Sequence, residues 1–338
     1  MRIAKYVLVR ILIWALTIWV GVTAVFILPR LMPADPIEGM IGRLNSKGSQ
    51  MTVEQIESMR SALRRQFGLE GTVMEQYATS MKRMLSFDFG PSFTLFPTPV
   101  TDLIRQYLPY TVGLMLITSL ISFVFGNLIG LLAGFKKNRW YSKFLETAAM
   151  CIYPIPYFIL ALILLILCCY LNNWFPLVAS MPAKFSLTWD WVSKIVYNSF
   201  LPALSLIILG GGWWIISMKS LASNTAEEEY VNYGRLKGLK ERTIAYRYVY
   251  KNSILTQITT LSLQLGGMFG GALMTEIMFG YPGVGALTQS AILQADYNLM
   301  LGLITLSIVA VSTATLLVDL LYPFLEPRVR YKYKEARA

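Results

Sequence analysis

Histidine is absent from this 338-residue chain, cysteine occurs three times, and charged residues make up only 14% of it. The first absence removes zinc-protease, Ser/His and every other imidazole-based chemistry at once. The cysteines, Cys151, Cys168 and Cys169, share one apolar stretch, where thiols act as small packing residues rather than as a disulfide or metal set. No metal site and no catalytic residue is expected. A phosphate-binding G-x-x-x-x-G-K-[ST] loop is also missing, so the chain carries no nucleotide-hydrolysing motif of that kind. Acid is scarce as well: 19 Asp and Glu stand against 30 Lys and Arg, for a formal net charge of +11.

What fills the space is hydrophobic residues, 55% of the total, gathered in blocks no soluble domain of this size needs. Six windows carry no charge: Ile11–Pro29, Gln106–Phe135, Thr147–Ala183, Ile195–Met218, Asn252–Thr275 and Tyr297–Val318. Each can cross a hydrocarbon core of about 30 Å as a helix rising 1.5 Å per residue. The expected fold is an all-α membrane protein with six transmembrane helices. The third window is too long for one helix, and its end, around Asn172–Asn173 and Pro176–Pro182, predicts an exit into a loop. Basic residues set the orientation: Arg2, Lys5 and Arg10 at the start; Lys136, Lys137, Arg139 and Lys143 after the second window; seven from Lys219 to Lys251; and five from Arg328 to Arg337. These are 19 of the 30, and by the positive-inside rule they place both termini in the cytoplasm. The positive balance therefore records orientation. Nucleic-acid binding is not expected, because such a protein gathers its cations on a soluble domain. The apolar run at the amino end lacks a small-residue cleavage site and is expected to remain as the first span.

Between the first two spans lies a long segment with eight basic and eight acidic residues, expected to fold as a small helical extracytoplasmic domain. Thr52 and Gln55 stand at capping-box spacing, Ile56, Met59, Leu63 and Phe67 mark one helix face, and Gly68 is a stop. A second helix is predicted over Val73–Leu85. Further on, Pro154 and Pro156 free backbone carbonyls within the third window. Gly266-Gly267 and Gly270-Gly271 form two overlapping small-xxx-small patterns in the fifth. Both sets are candidates for lining a pathway, with ordinary helix packing as the equal alternative. Glu276 and Asp319 are placed near opposite interfaces, where water or a headgroup reaches them.

The polar segment from Ala226 to Asn252 interrupts this apolar pattern. Thr225 is a candidate cap with Glu228 three residues on, and Glu227, Glu228 and Glu229 fill a first turn that the helix dipole favours. Tyr230, Tyr233 and Lys237 then share a face, Gly238 ends the helix, and a second, basic helix leads into the fifth span. Glu229-Tyr230-Val231 through Arg235-Leu236-Lys237-Gly238-Leu239, followed by Lys251-Asn252, resembles the coupling loop, or EAA loop, of binding-protein-dependent ABC importer permeases of the dipeptide/oligopeptide/nickel group. Leu31-Met32-Pro33-Ala34-Asp35-Pro36, Asp88-Phe89-Gly90-Pro91-Ser92, Glu276-x-x-Phe279-x-x-Pro282-Gly283-x-Gly285, Asp296-Tyr297, Leu317-Val318-Asp319-Leu320-Leu321-Tyr322 and Glu326-Pro327-Arg328-Val329-Arg330-Tyr331 resemble the same group in order along the chain. Gly234 departs from the Ala of many relatives, and Thr256 stands near their Pro.

The resemblance implies a permease subunit of an ATP-driven importer in the prokaryotic cytoplasmic membrane. It would form half of a pathway with a second, homologous permease, a heterodimer being the expected pairing. Two separate ATPase subunits would hold ATP and Mg, and an extracytoplasmic substrate-binding protein would dock outside. On these terms Glu229, Tyr230, Val231, Tyr233, Gly234, Arg235, Lys237 and Gly238 couple to the ATPase. Glu276, Phe279, Pro282, Gly283 and Gly285 form an outer gate or re-entrant loop. The expected divisions are 1–32 for the first span, 33–108 for the outer domain, 109–325 for the permease core with its coupling loop at 219–252, and 326–338 for a cytoplasmic tail. A secondary transporter or channel would need ionisable residues at span centres, and an intramembrane enzyme a buried acid pair. Neither pattern is present. The cargo the resemblance implies is oligopeptides or short oligosaccharides. Phe96-Pro97-Thr98-Pro99-Val100 and Gly126-Asn127-Leu128 resemble branches that carry plant-polysaccharide fragments, and Trp213, Trp214 and Tyr157 are candidates to stack on sugar, against the more ordinary role of interfacial anchors.

Overall fold

The computed structural model describes residues 2–27, 37–39, 41–42, 52–66, 71–182, 186, 188–268 and 272–325. Its helices are α1 (Arg2–Ile27), α2 (Val53–Gln66), α3 (Val73–Leu85), α4 (Val100–Phe135), α5 (Trp140–Ile152), α6 (Tyr157–Leu164, continued by a wide π-helical stretch, Leu165–Leu171), α7 (Trp189–Ala226), α8 (Glu229–Leu236), α9 (Lys251–Gly267), α10 (Leu273–Met278), α11 (Val284–Leu293) and α12 (Tyr297–Leu325). The turn Glu241–Thr243 and a second π-helical stretch, Ile244–Tyr250, lead into α9. Among the described residues the only extended pairing is a single bridge between Pro91 and Pro99.

Four helices are long and apolar enough to span a membrane: Lys5–Ile27, Val100–Phe135, Trp189–Ala226 and Tyr297–Leu320. One helix pair passes the same test only when its two halves are taken together, as a broken span or a re-entrant loop. The third window folds as Trp140–Ile152 and Tyr157–Leu171, bent by 96° at the intervening residues. Pro154 and Pro156 explain the break, since each lacks the N–H that would continue the ladder; Tyr153 keeps helical backbone ahead of Pro154, and the chain turns extended at Pro156, ψ 140°. The fifth expected span, Asn252–Thr275, is not one helix. Its first part, α9, is 17 residues long and carries Thr256, Gln257, Thr259, Thr260, Ser262 and Gln264; residues 269–271 lie outside the described residues, and α10 follows. At 1.5 Å per residue α9 covers about 26 Å, short of the hydrocarbon thickness.

The chain divides into two compact units. The first takes residues 1–111, 269–273 and 283–313. In it the two helices of the segment after α1 form as the sequence predicts: Thr52 and Gln55 make their reciprocal bonds at 2.9 and 3.4 Å, and α3 begins and ends at the expected residues. Thr72 and Glu75 form a second capping box, whose bonds to Thr72 hold the Glu75 carboxyl below its ordinary range. Phe67 and Gly68 lie outside the described residues. Phe89, Val100, Leu103, Val284, Leu299 and Leu303 make the main core of this unit.

Two of the sequence motifs meet here. Asp296, fully buried, takes the position ahead of α12 and accepts from Leu299 N–H at 3.1 Å, Thr94 N–H and Thr94 Oγ1 at 2.9 Å, and Ser92 Oγ. Asn298 donates to the Pro91 carbonyl at 2.9 Å. Gly90, at φ +75°, passes so close that a Cβ there would lie 3.1 Å from Asn298 Nδ2. Thr111 Oγ1 likewise accepts from Val284 N–H at 2.7 Å and satisfies an orphan donor of α11.

The second unit takes 112–268, 274–282 and 314–338. A close seam runs between α4 and α7. A Cβ on Gly126 would lie 2.4 Å from Trp214 Cβ, on Gly130 2.7 Å from the Ile215 carbonyl, and on Gly134 2.5 Å from the Lys219 carbonyl. Hence the two backbones touch where these glycines recur every fourth residue. This explains Gly126-Asn127-Leu128 as helix packing. Gly130→Ala should destabilise by about 1–3 kcal/mol, the usual cost of overpacking, while Gly211→Ala, with no atom within 4 Å of its Cβ, should be neutral or better. Thermal unfolding of the two variants in one detergent checks this, and equal midpoints would refute the seam.

Candidate functional site

The polar segment folds as a helix and its return, all within the second unit. Ser220, Ser223 and Asn224 do not end α7, which continues to Ala226. Thr225 is therefore no cap; it sits inside α7 with its hydroxyl 3.2 Å from Ser253 Oγ. The extended residue ahead of α8 is Glu228, at φ −63° and ψ 145°. Polar residues resemble turn formers in sequence, yet a long helix tolerates them once tertiary packing holds it.

Gly238 stops α8 as expected. Its φ is +73°, its N–H donates to the Arg235 carbonyl at 2.9 Å, and Leu239 N–H donates to the Gly234 carbonyl at 3.3 Å. Together these bonds satisfy the last carbonyls of the helix. A Cβ on Gly238 would meet nothing within 4 Å, so glycine is required there by backbone conformation and not by space.

The eight candidate residues separate by face. Val231, fully buried, and Gly234 point inward, where Ala222, Ala226, Ile244 and Val249 form a small core with Val231. A methyl group on Gly234 would find Leu239, Ile244 and Tyr248 at ordinary contact distances of 3.8–3.9 Å, so alanine also fits this position. Tyr230 stacks on Tyr248 with ring centroids 6.4 Å apart and accepts from Asn252 Nδ2 at 3.0 Å. Arg235 donates to the Ala226 carbonyl at 3.4 Å and to Asn232 at 3.0 Å, and lies 3.5 Å from Glu241. Glu229, Tyr233 and Lys237 are exposed, and beside them is Leu236, 82% exposed. Leu236 was not among the sequence candidates, although an apolar residue three positions after Tyr233 on a polar helix was the available signal.

Two ion pairs brace the base of this hairpin. Lys219 Nζ lies 2.5 Å from Glu146, joining α7 to α5, and Lys137 pairs with Glu227. The hydrogen bond from Lys137, and then its charge, hold the Glu227 carboxyl below the ordinary range. A depressed carboxyl stabilises above its unfolded pKa and loses that contribution as the pH falls through the folded value, so this brace is present at neutral pH and released by acid.

Next to the 96° break lies a cavity of about 350 Å³. Tyr153 and Tyr157 flank it from either side of Pro154 and Pro156, α7 supplies Leu209, Gly210, Trp213 and Trp214, and α9 supplies Thr260, Leu263 and Gln264. Trp214 is no interfacial anchor: it is fully buried, its ring edge-on to Phe123 at 5.0 Å. Of the glycine candidates, Gly266 and Gly267 end α9, whereas Gly270 and Gly271 lie outside the described residues.

The outer-gate candidates are divided between the units. In the second, Glu276 is completely buried rather than open to water or headgroups, and its carbonyl accepts from Tyr281 N–H at 2.8 Å. Phe279 belongs to a core with Ala161, Leu165, Cys169 and Leu201, and its carbonyl accepts from Ala179 N–H at 3.0 Å. The chain turns at Gly280, φ +58°, just before Pro282. In the first unit, Gly283 precedes α11 and Gly285 is buried within it.

Three relatives align over nearly the whole chain. A peptide transport system permease protein of Brucella abortus is 27% identical over 330 residues, covering 98% of each chain. An oligopeptide transport system permease protein of Bacillus subtilis is 28% identical over 334 residues, covering 97% of this chain and all of the relative. A nickel import system permease protein of Staphylococcus aureus is 26% identical over 331 residues, covering 98% and 93%. The model of the binding-protein-dependent transport system inner membrane component matches residues 126–331, which include the bent helix pair α5–α6, the α4–α7 seam and the whole of the hairpin around α8. The chain thus belongs to the binding-protein-dependent transport system inner membrane component family, as a multi-pass bacterial inner-membrane permease of an ABC importer.

Proposed function

We propose that this chain forms half of the translocation pathway of an oligopeptide importer and that α8 is the element through which ATPase subunits move it. Its topology on this proposal has six spans with both termini cytoplasmic, α9 with α10 serving as the fifth. The helical outer segment docks a substrate-binding protein, a homologous second permease completes the pathway, and two ATPase subunits hold ATP and Mg. The observation that carries the proposal is the pairing of a stiff base with an exposed apolar tip. The glycine stop and the Val231–Ile244 core hold α8 against the ends of α4 and α7 and the Ile244–Tyr250 stretch, the ion pairs tie α7 to α5 and Glu227, just ahead of α8, to the turn after α4, while Tyr233 and Leu236 face outward. Rigid-body gating needs such an element, since a compliant one would absorb the movement it should transmit.

For cargo, the cavity beside the proline break presents aromatic and amide groups and no metal-ligating carboxylate or thiol. That lining suits an organic molecule with peptide bonds better than a bare cation. The peptide and oligopeptide names of two of the relatives agree with it. Reconstituting the chain with its partners and measuring uptake of a labelled peptide tests the assignment. Trp213→Ala should lower uptake about tenfold, the effect of one lost aromatic contact of 1–2 kcal/mol, with basal ATP hydrolysis unchanged. Unaltered peptide uptake, or uptake of an oligosaccharide in its place, would reject the cavity as the peptide path.

A further inference from the structure

We propose that a basic cavity beside α8 binds the phosphate of an anionic lipid headgroup. The inference rests on the membrane placement proposed above. The cavity measures about 390 Å³, within the range of small-ligand sites. It opens where α4 ends: Phe135 closes one side, the turn carrying Lys136, Lys137 and Arg139 a second, and Glu227 with Arg235 a third. Four cations therefore face a single acid. Lys137 is occupied by Glu227, and Arg235 by Ala226, Asn232 and Glu241. Lys136 and Arg139 make no side-chain hydrogen bond or ion pair among the described residues. A guanidinium fork and a neighbouring ammonium on one concave wall suit a phosphate, the first by bidentate bonding and the second as a point charge.

The flanking residues favour a lipid over a soluble anion. Leu132 is 61% exposed on the last turns of α4, and Trp140 and Phe144, 78% and 65% exposed, follow the basic turn on α5. Trp at the start of a helix next to an apolar run marks the level where acyl chains meet headgroups. The two uncommitted cations sit between these greasy flanks, at headgroup height. A carboxylate of an ATPase subunit would need the same charge but not the exposed aromatic and aliphatic side chains around it.

Native mass spectrometry of the purified full-length chain, titrated with phosphatidylglycerol or phosphatidylcholine, tests this. The wild type should retain phosphatidylglycerol in preference. K136Q/R139Q should reduce that preference roughly thirtyfold, about fivefold for each interfacial cation, and the charge-conserving K136R/R139K should keep it. Equal retention by wild type and K136Q/R139Q overturns the proposal. Displacement of the lipid by excess inorganic phosphate overturns it in favour of a free anion. Loss of the ATPase subunit from the K136Q/R139Q complex, with lipid retention unchanged, overturns it in favour of a protein carboxylate. Because lipid retention is read on the isolated chain, it succeeds or fails independently of ATPase coupling.

Discussion

Replacing Tyr233 and Leu236 together by alanine should weaken binding of the ATPase subunit by about 100- to 1000-fold. A buried tyrosine at the centre of an interface contributes about 2 kcal/mol or more, and a leucine another 1–2 kcal/mol. Both side chains project away from the protein, at 62% and 82% exposure, so they hold no part of the hairpin in place. The fold should be unaffected, and thermal unfolding of the isolated chain should stay within about 0.5 kcal/mol of wild type. Gly238→Val differs in kind. It leaves the contact face intact but forces a β-branched residue to positive φ, which costs about 1–2 kcal/mol or more, so it should alter both stability and coupling. Co-purification with the ATPase, and the response of ATP hydrolysis to loaded binding protein, read out the double variant. If both persist, α8 does not couple.

The second large effect lies in the other unit. Asp296→Ala removes the common acceptor of Ser92, Thr94 and Leu299. Buried N–H groups left without an acceptor cost about 1–3 kcal/mol each, and bonds to a charged group are at the strong end. A total loss of about 3–5 kcal/mol is expected, with the segment around Pro91–Pro99 released from α12 and a melting midpoint lowered by roughly 10 °C. Asp296→Asn keeps the shape but turns part of the acceptor into a donor, and should fall between the two. Limited proteolysis near residues 91–99 together with thermal unfolding measures both variants; wild-type resistance in Asp296→Ala would exclude the carboxylate as the tie.

Asp296 also marks where sequence stops being sufficient. Local signals carried far: Thr52 with Gln55 placed a cap, Val73–Leu85 was bounded correctly, Phe135 ended α4 before its basic turn, and Gly238 ended α8. Each depends on neighbours within one helical turn. The bond from Ser92 to Asp296 joins residues 204 positions apart, and no local pattern announces it, even though both motifs were visible separately. The glycines of α4 are an intermediate case. Their fourfold spacing is legible, but Gly266-Gly267 and Gly270-Gly271 show the same spacing, and only packing reveals that Gly126, Gly130 and Gly134 meet another backbone. Composition misled at two places. The polar end of α7 suggested a cap at Thr225, and the abundance of Trp at interfaces suggested that Trp214 was exposed. At the proline pair the break was foreseeable from missing N–H donors, whereas its 96° angle depends on what each half packs against.

The α4–α7 seam has a consequence for how quickly a movement can spread. Side chains between helices act as springs, because rotamers shift and take up strain. Where carbonyls and Cα atoms meet directly, as at Gly130 and Gly134, there is no spring to compress. Helix α7 passes from that seam into α8 with only Glu227 and Glu228 between. A torque applied at Tyr233 would therefore pass between the two long helices with little loss at the seam, whereas the helical ladder of the same unit is interrupted at Pro154 and Pro156.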